Sequence, residues 1–324
     1  MKILVVLPNW LGDAVMATPA IELLASHYKD VDFTFVGSYV SIEAIKHHPL
    51  CHKAVVDTTK QATSRVFATY KLAKELGVFD LAITFRNQIH SSLLLYFTKT
   101  VLTLARESWH SRFLLSHTPK LSNSKHLVEQ YASLAMVNFE HKIEQIPPLK
   151  LYIKPKHYKK ATLGINAGAT YGSAKRWYPE RFAEVASAFS KRYDIIIFGG
   201  PNEVDVAQEI ETSLKDKNVT NFTNLAGKTT IKELCENIGG CSLFVTNDSG
   251  PMHVSAAYQV PTVAIFGPTR YKETSQWMNK KSKIVRHELD CSPCMKRVCP
   301  LKHHKCMKDI TASEVIDALE DLIL

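Results

Sequence analysis

The chain has 324 residues, of which 45% are hydrophobic and 22% charged, and carries a formal net charge of +9. Such a length exceeds one ordinary core and suits two domains of roughly 150 residues each, with a cleft between two lobes. It excludes a membrane-spanning chain, because no stretch approaches the roughly 18 uninterrupted apolar residues that such a helix needs.

The first apolar run, residues 3–7, stops at Pro8 without a small-residue cleavage site, so it reads as a strand rather than a signal and points to a cytoplasmic protein. Further short apolar runs follow at 33–36, 53–56, 81–84, 163–166, 195–198, 243–246 and 262–266, with helix-like segments between them, such as 14–27 and 180–191. Alternation of this kind predicts parallel sheets with crossover helices, once in each half of the chain.

Directly after the first strand comes Asn9-Trp10-Leu11-Gly12-Asp13, at the edge where a parallel sheet presents its ligands. Asp13 is either a general base, which takes a hydroxyl proton as a new bond forms, or the N-cap of a helix starting at Ala14. Gly12 stands alone, so no dinucleotide fingerprint is present. Between Lys60 and Lys125 lie ten Lys or Arg, among them Arg86, Arg106 and Arg112, against Glu75, Asp80 and Glu107. The local balance of +7 either attracts a polyanion or is a solvated face. Three prolines in 145–155 force an extended path and mark the interdomain linker.

The second half opens with a strand and the loop Ala167-Gly168-Ala169-Thr170-Tyr171-Gly172-Ser173-Ala174-Lys175-Arg176-Trp177. Its small residues let backbone amides approach a phosphate and Lys175 adds charge, although the spacing is not that of a P-loop; the alternative is a plain surface loop. Trp177 reads as packing rather than stacking. After Phe198, Glu203 either accepts from a ribose or favours the next helix start. Asn247-Asp248-Ser249-Gly250-Pro251-Met252-His253 turns a strand into a helix whose first amides suit a diphosphate. Asp248 could cap that helix or hold sugar hydroxyls, and His253 could donate to a phosphate or be a structural histidine. Cys291, Cys294, Cys299 and Cys306 crowd one segment with His303 and His304. They are either zinc ligands or thiols of a compact loop, for only the first gap matches a zinc knuckle. Thr311 and Glu314 form a capping box for a closing helix with an apolar stripe through Val315, Leu319 and Leu322.

Together the Trp10–Asp13 motif, the loop ending Lys175-Arg176-Trp177, the 247–253 motif and the Cys-rich segment resemble the ADP-heptose:lipopolysaccharide heptosyltransferases (glycosyltransferase family 9) over nearly the whole chain. The Cys-rich segment is most similar to that of the enzyme adding heptose to heptose. The resemblance implies an α/β protein of GT-B architecture, two facing Rossmann-like domains each with a parallel sheet. Residues 1–150 would bind the acceptor, 151–309 the ADP-heptose, and 310–324 would pack back on the N-terminal domain. It implies Asp13 as base, Lys175 on the donor phosphates, Glu203 on the nucleoside, and Thr170 with Asp248, Ser249, Gly250, Met252 and His253 around the donor. Pro251 departs from the relatives' pattern and has no N–H, which leaves Ser249, Gly250 and Met252 as donors. Trp10, Arg86, Arg106 and Arg112 would face a phosphorylated lipopolysaccharide core precursor.

The expected reaction is an inverting transfer of heptose to the first heptose of the inner core, without metal or other cofactor. The expected protein is a monomer in transient contact with the cytoplasmic face of the inner membrane, with no nucleic-acid partner. Three alternatives stand beside it: transfer to Kdo-lipid A, a zinc-stabilised nucleic-acid-binding protein, and a nucleotide-dependent oxidoreductase. The absent glycine fingerprint speaks against the last.

Overall fold

The computed structural model describes residues 1–139 and 145–323. The chain divides into two compact units, Met1–Tyr152 and Ile153–Leu324, and the boundary falls inside the proline-rich stretch, two residues past the expected position.

The N-terminal unit holds strands β1 (Lys2–Val6), β2 (Asp32–Gly37), β3 (Cys51–Val56), β4 (Leu81–Thr84) and β5 (Leu102–Ala105) in one sheet of order β3-β2-β1-β4-β5. All pairings are parallel, with Val6 registered between Val36 and Thr84. Its helices are α1 (Leu11–Met16), α2 (Thr18–His27), α3 (Tyr39–Ile45), α4 (Arg65–Leu76), α5 (Ile89–Phe97), α6 (Trp109–Leu114) and α7 (Leu127–Ala135). Strands β1 and β4 are covered on both faces, which is why they read as unbroken apolar runs rather than alternating ones.

The single helix expected over 14–27 is two. Pro19 has no N–H to give Val15, and the Thr18 hydroxyl takes that carbonyl instead at 2.7 Å, so the chain re-starts at Thr18. The first helix also begins earlier, at Leu11 with Trp10 as its N-cap, so Asp13 lies in the first turn and is not a cap.

In the C-terminal unit β6 (Thr162–Asn166), β7 (Asp194–Phe198), β8 (Phe222–Asn224), β9 (Leu243–Asn247), β10 (Thr262–Ile265) and β11 (Ser282–Val285) form a parallel sheet of order β11-β10-β9-β6-β7-β8. The helices are α8 (Pro179–Phe189), α9 (Val204–Asp216), α10 (Ile231–Gly239), α11 (Gly250–Ala257), α12 (Tyr271–Thr274), α13 (Lys305–Lys308) and α14 (Ala312–Ile323). Phe182 and Phe189 of α8 are fully buried on this sheet's core; burial of each such ring is worth about 1.5–3 kcal/mol.

The capping box expected for α14 is present, with Thr311 N–H on Glu314 Oε2 at 2.7 Å. Within its own unit the helix is docked as follows. Its buried stripe, Val315 and Leu319, joins the core of the C-terminal unit, and α14 packs on α8, β10 and β11.

Each sheet reverses its strand order beside its first strand, at β1/β4 and at β6/β9. Such switch points open a crevice at the carboxyl ends of the strands, which is where doubly wound sheets bind ligands.

Candidate active site

At the β6/β9 switch point two buried asparagines tie together the two loops singled out in the sequence. Asn166 donates to Ser249 Oγ at 3.1 Å, while Asn247 donates to Ala167 O at 2.6 Å and accepts the Trp177 amide at 3.0 Å. The ties bring Lys175 onto the segment that leads into α11. Its ammonium stands 2.6 Å from Asp248 Oδ2 and 3.3 Å from Asp248 O, with both side chains largely buried. Thr269 Oγ1 donates to the same carboxylate oxygen at 2.6 Å. An ammonium has three donors; two are committed to Asp248, and the ammonium also lies over the Tyr171 ring, 4.8 Å from its centroid.

Asp248 is thus neither the cap of α11, a position held by Ser249, nor a carboxylate with both oxygens open to sugar hydroxyls. Met252 is also corrected. Its amide is spent on Ser249 O at 3.1 Å and its side chain is buried with Ala264 and Phe266. The turn that opens α11 consumes that amide, so Ser249 and Gly250 are the remaining donors of the expected set. His253 is buried one turn into the helix, and Thr170 is exposed at the loop tip.

Glu203 is buried after β7, where its Oε2 accepts the Gly200 amide at 2.8 Å. A Cβ on Gly168 would lie 2.0 Å from that oxygen, so only glycine lets the loop pass the carboxylate. Trp177 is packing, as expected: it is 1% exposed and its indole N–H donates to Ile310 O at 3.1 Å.

The N-terminal unit gathers a second group at β1/β4. Asp13 and Arg106 both act on the buried phenol of Tyr131 in α7. Burial first, then the charge of Asp13, push Tyr131 well above its ordinary value, and Arg106 pulls it back. Arg106 bonds Gln130 Oε1 at 3.4 Å and Asn123 Oδ1, and Trp10 is half exposed at the start of α1. Arg112 is exposed, 3.7 Å from Glu107.

Arg86 departs from the expectation of a cation open to acceptor. It is 8% exposed, with Nε on Leu7 O at 2.5 Å and Nη1 on Asp57 Oδ2 at 2.9 Å, so it braces the carboxyl ends of β1 and β3. Burial raises the Asp57 carboxyl, but hydrogen bonds from Thr59 and then Arg86 outweigh it and hold Asp57 below its ordinary value.

A family model described as glycosyltransferase family 9 (heptosyltransferase) matches residues 69–305. The chain belongs to this family. Over its whole length this family-9 glycosyltransferase is 42% identical to lipooligosaccharide heptosyltransferase 2 of Campylobacter jejuni, covering 98% of that protein. It is 26% identical to lipopolysaccharide heptosyltransferase 2 of Escherichia coli, covering 99% of that protein. The solved structure of E. coli ADP-heptose lps heptosyltransferase II has a TM-score of 0.84 at 24% identity and covers 100% of this chain and 98% of its own, a likeness of fold. The two parallel-sheet units therefore make up a GT-B glycosyltransferase.

In this glycosyltransferase the Cys-rich segment has a task that its sequence did not announce. Arg297 O accepts the Ala174 amide at 3.0 Å, Met295 O accepts the Tyr171 hydroxyl at 2.8 Å, and His304 Nε2 donates to Ala174 O at 2.9 Å. These bonds clamp the Lys175 loop from behind. Cys291, Cys294, Cys299 and Cys306 line one small cavity without disulfides. Burial and then the neighbouring thiols of Cys294, Cys299 and Cys291 push Cys306 up to about 11. Among the described residues no three His, Cys, Asp or Glu side chains are grouped so as to hold a metal ion. A separate cavity of about 550 Å³ lies between α8 and α9, but its lining of Glu180, Asp205 and Glu209 repels phosphate and includes no expected site residue.

Proposed function

We propose that the protein transfers L-glycero-D-manno-heptose from ADP-heptose to the first heptose of the lipopolysaccharide or lipooligosaccharide inner core, with inversion. The observation that carries this is the Lys175–Asp248 pair at the β6/β9 switch point, beside the first turn of α11. The name heptosyltransferase 2 on the relatives from C. jejuni and E. coli supports the choice of acceptor.

The donor lies on the C-terminal unit, with its diphosphate on Lys175 and the amides that open α11 and its nucleoside toward Glu203. The acceptor lies on the N-terminal unit near Trp10, Arg106 and Arg112. In one displacement the acceptor oxygen bonds to C1 of the donor heptose as the C1–O bond to ADP breaks, and the leaving ADP keeps that electron pair. Asp13 takes the hydroxyl proton. An ordinary aspartate, with a pKa of about 3.9, is far too weak to strip a sugar hydroxyl beforehand, so the proton moves as the new bond forms. Charge growing on ADP meets a lysine already fixed in place, which is the arrangement that lowers a barrier.

The reaction needs no metal or other cofactor. The enzyme works as a monomer at the cytoplasmic face of the inner membrane, held by the basic 60–125 segment; no helix among the described residues is long and apolar enough to cross a membrane.

Incubation with ADP-heptose and defined acceptors, followed by mass measurement, tests the reading. The expected product is one heptose heavier, appears only on a heptose-bearing acceptor, and forms in excess chelator. Gain on a bare Kdo acceptor shifts the reading to the first transfer, and activity that needs added magnesium overturns the metal-free step. Asp13→Asn should cut kcat by about 10²–10⁴-fold with ADP binding retained; a near-normal kcat removes Asp13 as base.

A further inference from the structure

Between β11 and α13, residues 286–304 form neither strand nor helix, and this strap is packed inside out. Its larger apolar side chains face solvent, with Met295 40%, Leu301 58% and Val298 67% exposed, whereas its thiols turn inward. Cys291, Cys294 and Cys299 of the strap and Cys306 of α13 line one cavity with His303 and His304. The cavity holds about 20 Å³, room for about one water, so no organic ligand enters it. Met295, Lys302 and His304 take left-handed φ values of 55°, 57° and 51°, a backbone cost that persists only where the surroundings fix the chain. The outward aliphatic side chains do not supply that fixing. Hydrogen bonds to the neighbouring loops and the four sulfur atoms do.

Two of the four thiols meet just past the end of β10. Ser292 Oγ donates to Gly267 O at 2.6 Å and the Met295 amide donates to Pro268 O at 2.9 Å, which lays the intervening Cys294 along these two residues. Cys306 reaches the same glycine, for a Cβ on Gly267 would lie 3.1 Å from its Sγ. Of the three strap thiols, Cys294 acts most strongly on Cys306. The chain between the two, residues 295–305, carries all three contacts that clamp the donor loop, at Met295 O, Arg297 O and His304 Nε2.

We propose that Cys294 and Cys306 form a reversible disulfide site, which locks the strap and with it the Lys175 loop when a low-molecular-weight disulfide such as oxidised glutathione accumulates. Half-buried Cys294 is the entry thiol, because burial pushes the Cys306 thiol up to about 11 and keeps it protonated. The Cys294 thiolate attacks one sulfur of the reagent, forming a mixed disulfide and expelling a thiolate. The Cys306 sulfur then attacks the Cys294 sulfur and expels the second thiolate. Each leaving thiolate takes the proton that a cysteine gave up, so two protein thiols are oxidised to one disulfide and the reagent is reduced to two thiols. The link ties together the two ends of the strap and removes conformations in which the clamp is open. The site rests on the strap alone; only its effect on nucleotide rests on the heptose-transfer reading.

The test equilibrates the full-length protein in glutathione buffers of graded oxidised-to-reduced ratio. Peptide mass mapping should find a Cys294–Cys306 link that dithiothreitol reverses. Exchange of the Ala174 amide, which reads its bond to Arg297 O, should slow roughly tenfold with the link. Calorimetric titration should show an ADP Kd about threefold lower, since a pre-ordered loop binds more tightly. Cys294→Ser should abolish all three responses, while Cys51→Ser, in β3 of the other unit, should keep them. Mapping and exchange need neither donor nor turnover, so a protein that links and slows exchange but binds no ADP in either state removes the donor reading and keeps the switch. A link between other cysteines, thiols that stay free in fully oxidised glutathione, or Ala174 exchange unchanged by the link overturns the proposal.

Discussion

At Gly168 one absent methyl group holds the donor loop against Glu203. A Cβ there meets the carboxylate at 2.0–2.4 Å, and Glu203 is itself fixed by the Gly200 amide, so neither side can yield cheaply. Gly168→Ala should therefore weaken ADP binding at least tenfold and lower stability by about 1–3 kcal/mol, the usual toll of overpacking. Calorimetric titration with ADP and a thermal melt measure both; wild-type ADP affinity in this variant would show that the contact does not position the loop. At this scale the sequence was a partial guide. Small residues and cations marked the Lys175 loop and Asp13 because their spacing after a strand is itself the signal. Asp248 was found but its partner was not, since nothing in a linear string says that Lys175 will meet it. Tyr131, one tyrosine in an amphipathic helix, carried no pattern that separates it from surface residues.

Among elements, the strands that the sequence concealed are informative. β5, β8 and β11 were absent from the expected set, and each lies at an edge of its sheet. An edge strand pairs on one side only and buries less, so β8 and β11 are half-buried and lack the apolar run that betrayed β1, β6 and β9. The break at Pro19 was visible as a residue but not read as a new helix start. The Arg86–Asp57 tie joins three strands at their carboxyl ends, and its removal should be felt by the whole sheet. Arg86→Met strands a buried carboxylate and should cost about 3 kcal/mol near neutral pH in urea unfolding. The sign follows from Asp57, whose native pKa is depressed. Its stabilisation is complete above the ordinary aspartate value near pH 4 and is lost as pH falls through the lower native value. The gap between wild type and Arg86→Met should thus close in acid. A gap that stayed constant from pH 7 to pH 2 would remove the ion pair as its origin. Glu22 acts in the same direction: burial raises it, but hydrogen bonds from His48 and Tyr152 and the charge of Lys150 hold it below its ordinary value.

For the molecule as a whole, two sheets with separate cores mean that ligand binding energy is delivered locally. ADP at 100 times its Kd stabilises the folded state by about 2.7 kcal/mol. Hydrogen exchange should show that protection in the β6–Trp177 and β9–α11 segments, with the β1–β5 core unchanged. Equal slowing of exchange in both units would place the nucleotide elsewhere. The doubly wound plan of each half was readable from strand–helix alternation alone, whereas the partners of α14 within its own unit, α8, β10 and β11, were not, because an apolar stripe states that a helix docks and not where.

Every bond found to hold the Lys175 loop, from Asn166, Asn247, Asp248 and the Cys-rich clamp, is made by residues of the C-terminal unit. The Lys175 loop is in this sense a self-contained cassette. On the proposed division of donor and acceptor between the units, substitutions in the first 152 residues would retune which glycan is extended and leave the activated sugar's own seat intact, so that new acceptor preferences could arise without a simultaneous change of donor.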